Sequence, residues 1–257
     1  MSTVLFETKN NVAIITLNRP DKLNSFNREM ALQLQHVLDD CNSKEVRAVY
    51  ITGMGKAFCA GQDLAEVTGE NAPGFNQILA EHYNPIVIRL RNLARPVVAA
   101  VNGVAAGAGA NLALCCDIVV AAESASFIQA FSKIGLVPDT AGTFFLPRLI
   151  GTQKAAALMM LGDKLSAAEA ERIGMIWKTL PDADFARSSL AIAETLAQMP
   201  TKAIAFIKHL LTESWEHSLE DQLAMEDHYQ QKAAATKDYR EGVRAFLEKR
   251  TPKFTGE

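Results

Sequence analysis

Residues 95–127 read RPVVAAVNGVAAGAGANLALCCDIVVAAESASF, and this stretch decides the fold class. An apolar strand-like run (96–106) leads through a turn of glycine and alanine into a helix, and a second strand follows at 117–122. Both runs are apolar at nearly every position, which is typical of strands buried on both faces of a parallel sheet. The stretch therefore predicts a β-α-β unit.

The chain on the N-terminal side repeats this pattern. VAIITLN (12–18) and VRAVYITG (46–53) are short β-branched runs, and a helix-period segment lies between them after Asn27, a residue suited to cap a helix. Repeated units of this kind predict an α/β core with a largely parallel sheet.

The chain on the C-terminal side changes to helices. A helix is predicted from Thr152 onward, and the next one begins with a Ser166 to Glu169 capping box and stops at Gly174. After a short strand at 175–180, helical patterns cover 183–199, 201–214 and 218–249. The last of these is broken or bent near Thr236. The predicted architecture is an α/β core followed by a helical region.

Composition excludes several classes of protein. The 257 residues are 49% hydrophobic and 21% charged with a formal net charge of -3, as in an average soluble globular protein, and no Lys/Arg-rich run suggests nucleic-acid binding. No signal-like start or membrane-length apolar run is present, so we expect a cytoplasmic protein that binds no membrane. The four cysteines have neither disulfide-framework nor metal-ligand spacing, so we expect buried thiols and no metal site.

Two glycine turns are candidates for chemistry. FCAGQDL (58–64) and NGVAAGAGANLAL (102–114) each follow a predicted strand, and their small residues allow backbone N–H groups to approach a ligand closely. Together they could form an oxyanion hole, or they could merely permit tight helix-strand packing. The second turn is not a complete GxGxxG, because Leu112 stands at the third glycine position, so a dinucleotide site is disfavoured.

Four segments in matching order resemble the enoyl-CoA hydratase/isomerase family, also called the crotonase superfamily. They are NRPDKLNSFN (18–27), KAFCAGQDL (56–64), residues 95–127 and IGLVPDTAGTFFLPRLIG (134–151). The resemblance implies an α/β crotonase-like spiral of β-β-α units over 1–195 and a C-terminal helical trimerisation region over 196–257. It also implies an acyl-CoA substrate, no cofactor besides the coenzyme A of that substrate, and a homotrimer or a dimer of trimers.

The resemblance also assigns site residues. It places the oxyanion hole at the backbone N–H groups of Gln62 and Ala108, where preorganised donors would stabilise the thioester oxygen as negative charge develops. The residues expected to bind substrate or coenzyme A, the last two of them from a neighbouring subunit, are Lys22, Leu23, Ala60, Gly61, Gln62, Asp63, Leu64, Asn84, Gly107, Ala108, Gly109, Phe131, Phe246 and Lys249.

The positions of the family's two hydratase glutamates hold Asn111 and Phe131 in this chain. Hydration needs one group to activate water and another to deliver a proton to carbon, so ordinary hydratase activity is disfavoured. Moving a double bond needs only one base, and Asp139 is the best candidate for that catalytic base. On sequence grounds alone, Asp139 could instead cap the helix that follows it.

The surroundings of Asp139 are predicted from its neighbours. Apolar Phe131, Ile134, Leu136 and Phe144 are expected to shape an aromatic-sized pocket and to raise the pKa of Asp139 by desolvation. Asn84 could hydrogen-bond the acyl group or orient Asp139, or it could be an interior structural amide.

Several longer segments, including HYNPIVIRL (82–90) and DYREGVRAFLEKRTPKFTG (238–256), are similar to the branch of the family that serves bacterial phenylacetate degradation. This similarity implies conversion of a ring epoxide to a seven-membered oxepin and a β,γ to α,β shift of enoyl-CoA double bonds. Three alternatives stay open: a fatty-acid enoyl-CoA isomerase, a hydrolase or dehalogenase with Asp139 as nucleophile, and a non-catalytic CoA-binding assembly protein.

Overall fold

From the third strand to the eighth, successive strands alternate between two sheets in the computed structural model, which describes residues 2–68 and 72–257. The strands are β1 (Val4–Lys9), β2 (Val12–Leu17), β3 (Ala48–Gly53), β4 (Ala57–Cys59), β5 (Val97–Val101), β6 (Val104–Ala106), β7 (Ile118–Ala122), β8 (Ser126–Ile128), β9 (Lys164–Ser166) and β10 (Lys178–Leu180). The larger sheet has the order β1-β2-β3-β5-β7-β10, and the smaller one has the order β4-β6-β8-β9.

The helices cover the faces of these sheets. They are α1 (Arg28–Asp40), α2 (Leu64–Val67), α3 (Phe75–Ile78), α4 (Asn84–Asn92), α5 (Ala108–Leu114), α6 (Gly142–Ile150), α7 (Thr152–Leu161), α8 (Ala167–Arg172), α9 (Phe185–Gln198), α10 (Thr201–Glu213), α11 (Leu219–Ala234) and α12 (Lys237–Leu247). A π-helical turn joins α3 to α4 over Leu79–Tyr83, and 3-10 turns lie at Pro20–Lys22, Ala130–Ile134 and Asp182–Asp184. No described helix combines the length and the apolar character needed to cross a membrane.

The alternation of strands builds a spiral. Each of β3, β5 and β7 lies in the larger sheet and is followed at once by a strand of the smaller sheet, after which helices return the chain. Within each sheet these neighbours pair in parallel, while β1 with β2 and β8 with β9 are antiparallel. The predicted parallel α/β core built from β-β-α units is confirmed.

The predicted strand over 96–106 is wrong as a single element, because the chain bends at Asn102 and Gly103. The Asn102 side chain accepts the Gly53 N–H (3.0 Å) and donates to the Gly55 oxygen (3.0 Å). A Cβ on Gly103 would lie 2.1 Å from the Lys56 oxygen, so only glycine fits at the bend. The run therefore divides into β5 of one sheet and β6 of the other.

Strand β1 has no counterpart among the predicted strands. It is the edge strand of the larger sheet, and of its six residues only Val4 is buried. An edge strand facing solvent on most of its residues carries little hydrophobic alternation, so the sequence offers no period-2 signal there.

The helix ends confirm most of the predicted caps. Asn27 accepts the Met30 N–H (3.0 Å), and the Thr236 side chain caps α12, which breaks the long C-terminal pattern into α11 and α12. Ser166 accepts the Glu169 N–H (3.2 Å), but the Glu169 carboxylate pairs with Arg172, so the reciprocal half of the capping box is missing.

A buried charged group joins the C-terminal helices to the core. Lys208 of α10 is 6% exposed, and its ammonium lies 2.8 Å from Asp117, which also pairs with Arg91 of α4. Asp117 in turn accepts the Val97 N–H at the start of β5 (2.8 Å). Asp117 is therefore a structural residue that fixes α10 against the larger sheet.

The four cysteines are buried and free, as the sequence predicts. Burial raises the pKa of the Cys59 thiol to about 12, so the thiol stays protonated and unreactive.

Candidate active site

The first glycine turn follows β4 and is bonded to Phe26 on both sides of Gln62. The Phe26 N–H donates to the Gly61 oxygen (2.7 Å), and the Asp63 N–H donates to the Phe26 oxygen (2.8 Å). Because this parallel bridge uses the flanking groups, the N–H of Gln62 points away from Phe26. Across residues 2–68 and 72–257 it has no hydrogen-bond acceptor, so it is free to bind a ligand.

The second glycine turn joins β6 to α5. Gly107 has φ +52° and ψ −126°, a conformation that L side chains rarely adopt, and its N–H donates to the Ile128 oxygen (2.8 Å). Helix α5 then begins at Ala108, whose N–H precedes every acceptor of the helix. Within the described part of the chain, this N–H also has no acceptor.

The two turns lie side by side. A Cβ built on Gly61 would lie 2.9 Å from the Ala106 oxygen and 3.4 Å from the Ala108 nitrogen. One on Gly109 would lie 2.3 Å from the Cys59 oxygen, so α5 packs directly on the end of β4. The glycines therefore allow the close packing that the sequence left as an alternative, and that packing is what brings the two free N–H groups together.

Asp139 lies on the loop before α6 and lines the same cavity as both turns. Thr140 donates its hydroxyl to Asp139 Oδ1 (2.8 Å), and the backbones of Thr140 and Ala141 are left-handed, with φ of +50° and +56°. Two consecutive non-glycine residues in this region are uncommon, and such strain persists only where the surrounding structure imposes it.

The alternative role of Asp139 as a helix cap is wrong. Helix α6 begins at Gly142, and none of the described side chains accepts from its first N–H groups; the Gly142 N–H donates to the backbone oxygen of Asp139 (2.9 Å). Burial raises the pKa of the Asp139 carboxyl above its ordinary value, although the bond from Thr140 opposes the rise. The predicted direction of this pKa shift is confirmed.

Asn111 occupies the first hydratase acid position and is fully buried. Its Nδ2 donates to the backbone oxygen of Asp139 (2.8 Å), and its Oδ1 accepts from Gln129 Nε2 (2.7 Å). Both ends of the amide are therefore used to hold the loop that carries Asp139. Phe131, at the second acid position, lines the cavity with its ring about 3.7 Å from the place of a Cβ on Gly107. Neither side chain can carry a proton.

The cavity between these elements has a volume of about 240 Å³, and its exposed lining is mostly apolar. The residues that line it are Ala60, Gly61, Gln62, Leu64, Val67, Phe75, Ile78, Tyr83, Gly107, Ala108, Ala130, Phe131, Lys133, Ile134, Leu136 and Asp139. Seven of the fourteen residues predicted to bind substrate or coenzyme A therefore surround one space, and Asp139 is the one carboxylate among the described lining residues.

Three residues predicted to bind coenzyme A belong to the first glycine turn or adjoin it, and they do not line the cavity. Lys22 and Leu23 are exposed, and the Leu23 oxygen accepts the Ala60 N–H (3.0 Å), which places this segment against the turn. Asp63 pairs with Arg19 (2.8 Å) and accepts the Ala65 N–H at the start of α2 (3.1 Å). Asp63 therefore has a structural role that fixes the turn.

Two predicted positions need correction. Asn84 is exposed on the first turn of α4 and is absent from the cavity lining, because the π-helical turn before it directs Tyr83 inward instead. Phe144 also lies outside the cavity, because its ring packs against Trp215 (5.2 Å between centroids) at the end of α10.

Tyr83 is one of six lining residues that the sequence did not single out, and the others are Val67, Phe75, Ile78, Ala130 and Lys133. Tyr83 is 2% exposed, its hydroxyl donates to Gln62 Oε1 (2.9 Å), and its ring packs against Phe26. The sequence signal that could have pointed to Tyr83 was its position next to Asn84. The widened π-helical turn is what rotates Tyr83 into the site, and hydrophobic periodicity does not reveal such a turn. Such π-helical turns are frequent at functional sites.

Phe246 and Lys249 lie at the end of α12, away from this cavity. The Phe246 side chain is 83% exposed and lines a separate groove with residues of α12 and the C-terminal segment. Their contribution to the coenzyme A site of a neighbouring subunit stays a prediction.

Known proteins resemble this chain over its whole length. The family model for enoyl-CoA hydratase/isomerase matches residues 7–257. The chain is 46% identical to the 1,2-epoxyphenylacetyl-CoA isomerase of Escherichia coli K12, with 100% of this chain and 99% of that protein covered. It is 44% identical to a Rhodobacter capsulatus protein named "Probable enoyl-CoA hydratase", with 99% and 98% covered. The crystal structure of an enoyl-CoA hydratase from Bacillus anthracis superimposes with a TM-score of 0.93 at 34% identity, covering 99% of this chain and 100% of that one.

Proposed function

Since the chain belongs to the enoyl-CoA hydratase/isomerase family, we propose that it is an acyl-CoA isomerase of phenylacetate catabolism. The proposed reactions are conversion of ring-1,2-epoxyphenylacetyl-CoA to oxepin-CoA and the shift of a β,γ double bond of an enoyl-CoA to the α,β position. The observation that carries the proposal is a single half-buried carboxylate, Asp139, among the described residues of a cavity that Gln62 and Ala108 also line, with backbone N–H groups that have no acceptor in the described chain.

The double-bond shift follows from this arrangement. The Asp139 carboxylate removes a proton from the α carbon of the bound thioester, and the electron pair of the broken C–H bond moves toward the thioester oxygen. The N–H groups of Gln62 and Ala108 stabilise the resulting dienolate. The carboxylic acid of Asp139 then returns the proton to the γ carbon, which restores the carboxylate and leaves the double bond conjugated with the thioester.

The raised pKa of Asp139 suits both halves of this reaction. A base of higher pKa binds the removed proton more tightly, yet its acid form still releases the proton to the electron-rich γ carbon. The dienolate carries its charge on the oxygen at the two N–H groups, so protonation of Asp139 does not leave a second unbalanced charge in the cavity.

Hydration of a double bond is the activity that the site supports least. Asn111 has its amide fully bonded to Gln129 and to the Asp139 backbone, and Phe131 offers only an aromatic ring. One carboxylate would have to activate water and also protonate carbon on its own. The hydratase activity in the name of the Rhodobacter relative is therefore not proposed for this chain.

The ring substrate is supported by the shape of the cavity and by the Escherichia coli relative, whose name carries that reaction. Phe131 and Tyr83 present aromatic surfaces, and Ile134 and Leu136 complete an apolar lining of a size that accepts a cyclic acyl group. The same polarised thioester and the same carboxylate would serve the ring epoxide and the enoyl substrate.

The decisive experiment compares wild type with Asp139→Asn in deuterated water, with a β,γ-unsaturated acyl-CoA and the ring epoxide as separate substrates. We expect the variant to lose about 10²-fold to 10⁴-fold in kcat, the usual contribution of a general acid-base, together with deuterium exchange at the α and γ carbons. Binding of the acyl-CoA should be retained, because asparagine keeps the shape of the side chain and can accept the Thr140 hydrogen bond.

Other outcomes distinguish the alternatives. Unchanged turnover by Asp139→Asn would exclude the proposed role of Asp139, whereas absence of turnover in both the wild type and the variant would favour a non-catalytic protein. A covalent ester trapped on Asp139 would assign a nucleophilic mechanism and a hydrolytic or dehalogenating reaction. Turnover of linear enoyl-CoA alone would restrict the function to fatty-acid isomerisation.

The C-terminal helices support a proposed homotrimer or dimer of trimers. Helices α10 to α12 expose large apolar side chains, among them Leu211 (62%), Phe246 (83%) and Leu247 (74%). Contiguous apolar surface of this kind marks a protein interface. We expect light scattering to give the mass of three or six chains, and Phe246→Asp to lower it; a monomeric wild type would contradict this assembly.

A further inference from the structure

Tyr83 lines the cavity beside the first glycine turn, and the proton transfers proposed above do not use it. It ends the π-helical turn Leu79–Tyr83 and lines the cavity together with Asp139. Its ring packs against Phe26 with 5.7 Å between centroids. Phe26 is also the residue whose backbone bonds hold Gly61 and Asp63. The tyrosine ring and the first glycine turn therefore share one support.

A chain of hydrogen bonds runs from Tyr83 through the side chain of Gln62 to α2. The Tyr83 hydroxyl donates to Gln62 Oε1 (2.9 Å), and Gln62 Nε2 donates to Glu66 Oε2 (2.9 Å). Glu66 Oε1 accepts the backbone N–H of Arg28 (2.7 Å). The side chains of Gln62 and Glu66 are thus hydrogen-bonded at both ends, and the Tyr83 hydroxyl begins the series.

Charge fixes the direction of these bonds. An ionised Glu66 carboxylate can only accept, so the NH₂ end of the Gln62 amide must face it. The amide oxygen of Gln62 then faces Tyr83, and the hydroxyl must be the donor. Since a tyrosine has one O–H, this bond occupies its proton, and the phenol has none left for a substrate.

The same Gln62 carries the backbone N–H that is free to bind the thioester oxygen. Its backbone is fixed by Phe26 on one side, and its side chain is fixed by Tyr83 and Glu66 on the other. Rotation about the peptide units that flank Gln62 would redirect the N–H, and the pinned side chain opposes such rotation. A donor must lie within hydrogen-bond range of the oxygen where charge develops to be effective.

We propose that Tyr83 is a positioning residue of the oxyanion hole: its hydroxyl holds the Gln62 side chain and thereby aims the Gln62 N–H at the thioester oxygen. This inference rests on the proposed acyl-CoA isomerase function. It assigns Tyr83 no proton transfer, and burial keeps the pKa of its phenol well above the ordinary value, so the hydroxyl remains a donor at every pH where the protein works.

The test uses Tyr83→Phe, which removes the hydroxyl and keeps the packing ring. Tyr50→Phe is the matched control, because the Tyr50 hydroxyl makes a buried bond to Ser189 (2.9 Å) between β3 and α9, and Tyr50 does not line the cavity. Gln62→Met removes the same hydrogen bond from its other end. Steady-state kinetics and the absorption band of a bound conjugated dienoyl-CoA are measured for each variant.

The band moves to longer wavelength when the thioester oxygen accepts hydrogen bonds, so it reports on the oxyanion hole without turnover. We expect Tyr83→Phe to lower kcat about tenfold with KM little changed, to reduce the band shift, and to keep the wild-type pH profile. Tyr50→Phe should match wild type in all three. The double variant of Tyr83→Phe with Gln62→Met should lose little beyond Gln62→Met alone, because that substitution already removes the bond from Tyr83.

Several results would overturn the proposal. They are a wild-type kcat and band shift for Tyr83→Phe, a lower kcat with an unchanged band shift, additive losses in the double variant, or a displaced pH profile, which would indicate that Tyr83 transfers a proton. If wild type isomerises no acyl-CoA, the proposed function fails, while the band shift still decides whether Tyr83 positions the donor.

Discussion

The two sides of the cavity contribute different groups to the proposed mechanism. On the oxyanion side these are the backbone N–H groups of Gln62 and Ala108, and on the acid side it is the side chain of Asp139. On the oxyanion side, residue identity matters through the space it leaves, as at Gly109. On the acid side, we expect a change of one functional group to change the reaction. In the proposed mechanism the oxyanion side therefore stabilises charge, and the acid side selects the reaction.

The two sides also differ in how they are held. The oxyanion side is fixed by strand pairing, by the bridge at Phe26 and by contact between α5 and β4. The acid side is a loop in which two residues have a left-handed backbone, and the side-chain amide of Asn111 donates a hydrogen bond to this loop. We expect substitutions to affect folding and activity together on the first side, and mainly activity on the second.

The largest effect is expected from Gly109→Ala. The added Cβ would lie 2.3 Å from the Cys59 oxygen, so α5 must move away from β4 and the Ala108 N–H must move with it. Overpacking of this kind costs about 1–3 kcal/mol of stability, and loss of an oxyanion donor costs about 10²-fold to 10³-fold in kcat. Denaturant unfolding and isomerase assays would measure both effects.

Gly242→Ala is the control for this substitution. Its Cβ would meet the ring of Phe254 in the C-terminal segment at 3.5 Å, an ordinary van der Waals contact, and neither residue lines the cavity. It should leave kcat unchanged and raise stability slightly, because alanine favours the helix. Equal behaviour of the two alanine variants would show that the close approach of α5 to β4 is not needed.

The pH dependence of activity tests the acid side alone. Asp139 must be ionised to act as a base, so kcat/KM should fall tenfold per pH unit below its pKa. Because burial raises that pKa, the acid limb should lie above the ordinary aspartate value of 3.8. A pH-rate profile of the wild type measures it, and a limb at or below 3.8 would contradict a desolvated base.

Asn111→Ala tests the support of the acid loop. The Asp139 backbone oxygen and Gln129 Nε2 would each lose a buried partner, which costs about 1–3 kcal/mol of stability. We expect kcat to fall roughly tenfold, because the Asp139 carboxylate is less well aimed, with KM little affected.

The control for this variant is Asn42→Ala, since Asn42 is an exposed asparagine whose Nδ2 also donates to a backbone oxygen, that of Asp39 (3.2 Å). Its kinetics and stability should stay at the wild-type level. If Asn111→Ala behaved in the same way, the amide would have no positioning role.

The smallest effect is expected for the stability of Asp139→Asn. With a raised pKa, the folded protein binds a proton more tightly than the unfolded chain, so wild-type stability falls as pH rises from 3.8 through the folded pKa. At neutral pH the variant lacks the buried charge and should melt a few degrees higher. The difference should vanish in acid. A variant that is less stable at neutral pH would contradict a destabilising carboxylate.

The sequence predicted those helices and strands whose signals lie within the element itself. Hydrophobic runs marked β2, β3, β5 and β7, and side-chain caps at Asn27 and Thr236 marked the helix ends. These signals depend on residues within one turn of helix or a few strand positions. Strand β1 was not predicted because its exposed edge leaves no alternation of hydrophobic and polar residues. The bend at Asn102 was not predicted because the hydrogen-bond partners of Asn102 lie about 50 residues away.

The sequence by itself determined the fold class, the two glycine turns and the empty hydratase positions, and it singled out Asp139 as the proposed acid. Only the tertiary structure decided that the turns adjoin, that Asn111 holds the acid loop, that Asn84 faces solvent and that Tyr83 donates to Gln62. The physical reason is the range of the interactions. Helix caps and hydrophobic periods depend on residues that are near neighbours in the sequence. The direction of the backbone N–H of Gln62 depends instead on contacts between residues about 20 to 50 positions apart, which meet only when the sheets pack.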